Sequence, residues 1–299
     1  MGDALDDHRT ENPVDLAVPP DDLSGGDVFG RPDVDATGPT LGVLLPIFGL
    51  RDGTLHPERI AEFARYAEAH DLDGIWLADH LVHPVPLLDS IITLEHVATV
   101  TDQIRVGTAV LLLALRKAIV AAKQLATIAS YHPGRLTVGV GVGGEHPLEF
   151  QASQVPLHER GRRLEDAVAE VRALWSGGRL DAPRHDHLRD VQIAPRPPRI
   201  PLLFGGHTPV ALRRAARLGD AWVGFHKDEA QFADAVAILR AERARIDRTT
   251  MPTGMVLPTL VTDRNDGAAE RAAAFIGGAS TKDFHSAPDR FVLAGTSTH

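Results

Sequence analysis

Leu41-Gly-Val-Leu-Leu-Pro-Ile-Phe48, followed directly by Gly49-Leu-Arg-Asp-Gly-Thr54, is the stretch that decides the fold. Its first eight residues are almost wholly apolar, as in a strand covered on both faces. The turn after it is not the G-x-G-x-x-G loop with which an open, doubly wound sheet grips a dinucleotide. Residues 57–70 then set Ile60, Phe63, Ala64 and Ala67 on one face of a helix. The same alternation recurs along the chain. Strands are expected at 74–78, 104–113, 136–142, 201–204, 221–225 and 255–262, and helices at 88–101, 118–131, 158–175, 209–218, 230–245 and 268–274. Apolar strands alternating with amphipathic helices, without the dinucleotide turn, predict an α/β fold of the (β/α)8 barrel type. Chemistry then belongs at the C-terminal ends of the strands.

Outside this repeat, residues 1–40 are rich in Asp, Pro and Gly and lack apolar periodicity. They read as a flexible extension, or as an arm docking on a partner subunit. Residues 41–299 make up the barrel domain. Across the 299 residues, 31 Lys and Arg face 40 Asp and Glu, a net charge of −9, which argues against nucleic acid or anionic membrane as partners. The absence of Cys removes disulfides, thiolate catalysis and iron–sulfur ligation. The acidic start lacks a signal peptide's basic and apolar regions, and the apolar run at 108–115 is far short of the ~20 residues that span a bilayer. A cytoplasmic protein is expected.

Four places invite chemistry. Asp79-His80 ends the second strand on two ionisable groups, suited to proton transfer or to an Asp-capped turn beside a solvated His. Glycines 139, 141, 143 and 144 empty one face of the fourth strand, for a flat ring or for a barrel bend. Gly205-Gly206-His207-Thr208-Pro209 joins a strand to a helix with Thr208 as N-cap and Pro209 at the first helical position, a ready anion site. Arg162, at the start of the long helix, opposes the helix dipole unless an anion compensates. His185-Asp186-His187 reads as exposed loop, and no metal site is expected.

Together, Leu41-Gly-Val-Leu-Leu-Pro46, Trp76-Leu-Ala-Asp-His80, Ile104-Arg-Val-Gly-Thr-Ala-Val110, the 134–144 glycine strand, Glu159-Arg-Gly-Arg-Arg-Leu164, Phe204-Gly-Gly-His-Thr208 and residues 211–222 resemble, in order, the luciferase-like flavin and deazaflavin oxidoreductases. The resemblance implies a barrel binding coenzyme F420 or FMN, with a bulge and a non-proline cis peptide at Ala109-Val110 backing the ring. Gly141 and Gly143 fall beside it, Gly205, Gly206, His207 and Thr208 at the phosphate loop, Arg162 at the phosphate arginine, and His80, oriented by Asp79, at the catalytic histidine. Arg213, Arg214, Arg217 and Lys227 are candidates for the acidic tail of F420. The expected reaction is F420-dependent hydride transfer to a small organic carbonyl, imine or conjugated alkene. An FMNH2- and O2-dependent monooxygenase and a catalytically silent barrel are the alternatives.

Two stretches depart from the family pattern. Leu113-Ala-Leu-Arg-Lys-Ala118 replaces an Arg-His-Pro-like turn, and the sequence stops just after Ala294-Gly-Thr296, where the family continues through a further helix, strand and helix. The expectation is a barrel without its last strand and helix, or one completed by another segment or a partner chain, with open edges favouring a homodimer.

Overall fold

A computed structural model describes residues 25–32, 38–49, 52–182, 188–225, 228–257, 259–262 and 293–296. The expected helix at 268–274, the 185–187 loop, Lys227 and most of the expected extension lie outside them. The strands are β1 (Gly42–Leu44), β2 (Gly74–Leu77), β3 (Arg105–Leu111), β4 (Leu136–Val140), β5 (Leu180–Ala182), β6 (Leu188–Val191), β7 (Leu202–Gly205), β8 (Ala221–Phe225), β9 (Thr253–Val256), β10 (Thr259–Thr262) and β11 (Leu293–Thr296). The helices are α1 (Gly25–Phe29), α2 (Ile60–Ala69), α3 (Ser90–Thr99), α4 (Ala118–Tyr131), α5 (Pro147–Ala152), α6 (Arg160–Trp175), α7 (Pro209–Leu218) and α8 (Glu229–Arg245).

Seven strands form one parallel sheet in the order β1-β2-β3-β4-β7-β8-β9, the neighbour-to-neighbour sequence of a (β/α) barrel. Alternation along each strand divides the core. Ile75, Leu77, Val106, Val138, Val140, Leu202, Phe204 and Trp222 pack in one large cluster with the apolar faces of the helices. Trp76, Val110, Leu203, Ala221 and Val223 form a second cluster on the opposite face, inside the curl. Gly107 makes room for this filling, since a Cβ there would stand 2.6 Å from the Trp76 ring. Among the described residues, β1 and β9 each pair on one side only.

Three expectations change. Residues 25–32 are built into the structure rather than extended. Val28 is fully buried, its carbonyl accepts from Thr137 Oγ1 at 2.9 Å, and the Gly30 carbonyl accepts from Arg105 Nε. Phe29 meets Trp76 edge to face at 5.9 Å, so this segment closes the N-terminal end of the barrel. Its apolar content is two adjacent residues, too short to register as periodicity. The strand expected at 255–262 is divided: β9 pairs with β8, whereas β10 pairs with β11. Pro258, which has no N–H for a ladder, falls between them in the sequence. The third change is the addition of α5 and the antiparallel β5–β6 hairpin, both too short to show a period.

Candidate active site at the strand ends

The β3–β4 register shifts between Thr108 and Leu111, and the Ala109–Val110 peptide is cis, at the bond the family resemblance singled out. Val110 then lies against two glycines, Gly141 just past β4 and Gly205 at the end of β7. A Cβ on Gly141 would reach 2.4 Å from Val110 Cγ2, and one on Gly205 would reach 2.9 Å from Cγ1. The ends of β3, β4 and β7 therefore share one floor that tolerates no further side chain at these two glycines. Gly143 serves differently: at φ +58° it turns the chain out of β4, with Leu112 3.0 Å from where its Cβ would stand.

The structure separates Asp79 from His80. Asp79 is buried and turned away, accepting from Ser90 Oγ at 2.8 Å, Leu112 N at 2.9 Å and Arg116 at 2.8 Å. It does not orient His80, because all of these partners lie on the α3 and β3 side. Burial works against the Arg116 charge, but Asp79 and Asp89 outweigh it and raise its pKa. Arg116 thus explains the altered 113–118 turn: it ties the end of β2 to the cap of α3. The group that holds His80 is Glu149 on α5, whose carboxylate oxygens both lie 3.3 Å from His80 Nδ1 and one of which accepts from Leu81 N at 3.2 Å. Glu149 is completely buried.

Two further imidazoles complete the cluster. His83 follows His80 by three residues, and His146 precedes Glu149 by three. Ring centroids are 5.0 Å apart for His80–His83, 5.0 Å for His80–His146 and 4.6 Å for His83–His146, with Phe48 5.2 Å from His83. Burial, with the neighbouring His80 and His146, lowers the His83 pKa from the ordinary 6.5.

The phosphate-loop candidates form the expected strand-to-helix turn. Gly206 has φ +119°, and a Cβ there would stand 2.7 Å from that of Ala211. Thr208 Oγ1 accepts from Ala211 N at 3.2 Å, and Trp222 Nε1 donates to the Gly206 carbonyl at 2.9 Å. His207 is exposed in the same loop. The charge of Arg162 is already compensated within its helix start: it pairs with Glu159 at 3.1 Å, as Arg163 does at 2.9 Å. Of the rim arginines, Arg214 and Arg217 pair with Glu165 on α6 at 2.8 and 3.4 Å, while Arg213 is exposed. Arg160, rather than Arg162, stands beside the Gly144 turn, 3.4 Å from where a Cβ on Gly144 would lie.

A sequence profile described as luciferase-like monooxygenase matches residues 40–296. The chain belongs to that family. It is 32% identical over 178 residues to the F420-dependent glucose-6-phosphate dehydrogenase of Kineococcus radiotolerans, a match covering 56% of this chain and 52% of that one. The protein of the same name from Rhodococcus erythropolis is 31% identical over 180 residues, with 56% and 52% covered. The chain spans about half the length of the curated relatives it matches. Among solved structures, a monooxygenase from Streptomyces bottropensis superposes with TM-score 0.74 at 22% identity, covering 86% of this chain and 84% of that one. An F420-dependent secondary alcohol dehydrogenase in complex with an F420-acetone adduct gives 0.72 at 17%, with 85% of each covered. These two likenesses are of fold.

Within this luciferase-like barrel, the site residues that sequence reasoning missed are Glu149, His83, His146 and Arg116. The signal for the first three was present as two short pairs, His80-x-x-His83 and His146-x-x-Glu149. Each follows a barrel strand, and those strands, β2 and β4, flank β3.

Proposed function

We propose that this chain is an F420-dependent oxidoreductase acting on a small organic carbonyl, imine or conjugated alkene. The observation that carries the reading is the His80–Glu149 pair at the end of β2, next to the strand that bears the cis Ala109–Val110 bond and the glycine floor. The F420-dependent names of the relatives support the deazaflavin over FMN.

The residues present fit such a group. Gly141 and Gly205 leave the floor around Val110 without further side chains, so a planar ring can lie against it. At the start of α7, Gly206, His207 and Thr208 lead into a helix N-terminus whose dipole and N–H groups favour a phosphate. When bound, reduced F420 would supply the hydride and leave as the oxidised deazaflavin. His80 handles the proton: Nδ1–H donates to Glu149, leaving Nε2 to give or take a proton at the substrate atom. Glu149 fixes the ring's tautomer and direction. A cytoplasmic setting and a homodimer complete the reading, supported respectively by the cysteine-free sequence and by the sheet's one-sided end strands among the described residues.

Parallel titration with F420, FMN and reduced FMN, followed by fluorescence and calorimetry, tests the reading. Tight binding of F420 with little or none of FMN is expected. Preference for reduced FMN would move the assignment to oxygen chemistry, and binding of none would leave a silent barrel. At saturating reduced F420, His80→Ala should lower turnover about a hundredfold or more with cofactor affinity retained. Unchanged turnover would remove the proton role.

A further inference from the structure

His80, His83 and His146 meet between the loops after β2 and β4, and each offers one ring nitrogen within 4.8 Å of the other two. We propose that these three imidazoles form a binding site for one borderline divalent transition ion of the zinc and cobalt class. The inference does not depend on the proposed oxidoreductase activity.

Three features point to a metal rather than to chance crowding. The ligand set is all imidazole, which suits zinc, cobalt or nickel and not magnesium or calcium. One ligand already has the support that metal-bound histidines require: His80 Nδ1 faces the fully buried Glu149 carboxylate, so its proton is held there and Nε2 presents a lone pair. All three side chains are half-buried, so they are shielded from bulk water yet open to an entering ion. Binding asks for two adjustments. Nitrogens about 2.0–2.1 Å from a common ion in tetrahedral geometry stand roughly 3.4 Å apart, so any pair of these nitrogens wider than that, within their 4.8 Å limit, must draw in. The Gly143-Gly144 turn, with φ +58° and +118°, sits just ahead of His146 in the chain. His83 Nδ1 accepts from Val85 N at 3.3 Å, so the neutral ring carries its proton on Nε2; ligation through Nδ1 uses the accepting lone pair, ligation through Nε2 shifts the proton to Nδ1, and either way that contact is given up.

Three histidines leave the fourth tetrahedral position to water or a substrate oxygen, the arrangement of catalytic rather than structural zinc. Metal ligation and proton transfer through His80 Nε2 are mutually exclusive, so metal-loaded protein should lose whatever activity depends on that proton.

The test uses the full chain, freed of metal by a chelator and without cofactor. Calorimetry with zinc chloride should show one ion per chain at micromolar affinity or tighter, and magnesium chloride should show none. His83→Ala and His146→Ala should each weaken zinc at least a hundredfold, and Glu149→Gln about tenfold to a hundredfold. Cobalt chloride on the unmutated chain should give the intense visible absorption of a tetrahedral site. That spectrum settles the matter should the variants fail to fold. Absence of both zinc binding and the cobalt band, or zinc affinity indifferent to His83→Ala and His146→Ala in folded protein, would overturn the proposal.

Discussion

Asp79 and Glu149 are buried carboxylates on either side of His80, and their partners give them opposite tasks. Asp79 neutralises Arg116, whose side chain is itself mostly buried. Asp79→Ala would leave that guanidinium without its main counter-charge, a change that costs about 3–5 kcal/mol at buried pairs. Chemical denaturation should show the loss as a lower midpoint. Glu149→Gln keeps an oxygen to accept from Leu81 N and removes the charge facing His80. Its expected effect is a tenfold to hundredfold fall in turnover with the unfolding midpoint nearly unchanged. A stable Asp79→Ala alongside an unfolded Glu149→Gln would reverse the two assignments. The Asp79-His80 doublet was legible because an apolar run stops on it. Which carboxylate serves the histidine was not, since Glu149 lies 69 positions along the chain and only the fold brings it near.

Single elements carry the next level of specificity. The alternation of glycines in β4 was readable as an emptied face, and the structure gives its two halves different work. Gly139 would set a Cβ 2.0 Å from the Thr108 carbonyl, so it serves strand pairing, whereas Gly141 abuts Val110 in the floor proposed to back the cofactor ring. Gly141→Ala should push Val110 aside, costing about 1–3 kcal/mol of stability and weakening F420 at least tenfold in a fluorescence titration. At the opposite end of the strands, Glu68 closes α2 against the entry to β3. Burial raises its pKa, but the N–H groups of Gln103, Ile104 and Asp102 outweigh this and hold it below the usual 4.5. A carboxylate pKa lower in the folded than in the unfolded chain stabilises the fold above about pH 4.5, and the gain disappears as pH falls through the folded value. Comparing wild type with Glu68→Gln by urea unfolding across pH 3–7 should therefore show a gap near neutrality that closes in acid. A gap constant with pH would mean that the hydrogen bonds, not the charge, matter.

At the scale of the whole molecule, the barrel was legible because apolar strand runs alternate with amphipathic helices, and the parallel order follows from that alternation. What closes the barrel's N-terminal end was not, because that closure is made by two apolar residues inside an otherwise polar stretch. Val28 and Phe29 fill the space over Trp76, and the backbone after them answers polar groups the strands leave buried. Arg105 is 2% exposed, and burial pushes its pKa down to about 10 against the pull of Asp27. Its guanidinium donates to the Gly30 carbonyl and, at 3.1 Å, to Thr137 Oγ1, which in turn donates to Val28. Arg31 continues the seam, donating to the carbonyls of Leu72 and Glu68 at 3.1 and 2.8 Å. Removing residues 1–32 would uncover apolar surface and leave Arg105 short of its acceptor together, a combined loss of about 3–5 kcal/mol. Phe29→Ala should remove a part of that, about 2–4 kcal/mol, while keeping the backbone acceptors. Thermal unfolding followed by circular dichroism reads both changes, and the graded order, full chain above Phe29→Ala above the truncated chain, distinguishes a structural closure from a passenger segment. Equal midpoints for all three would show that the barrel holds its N-terminal end without this segment.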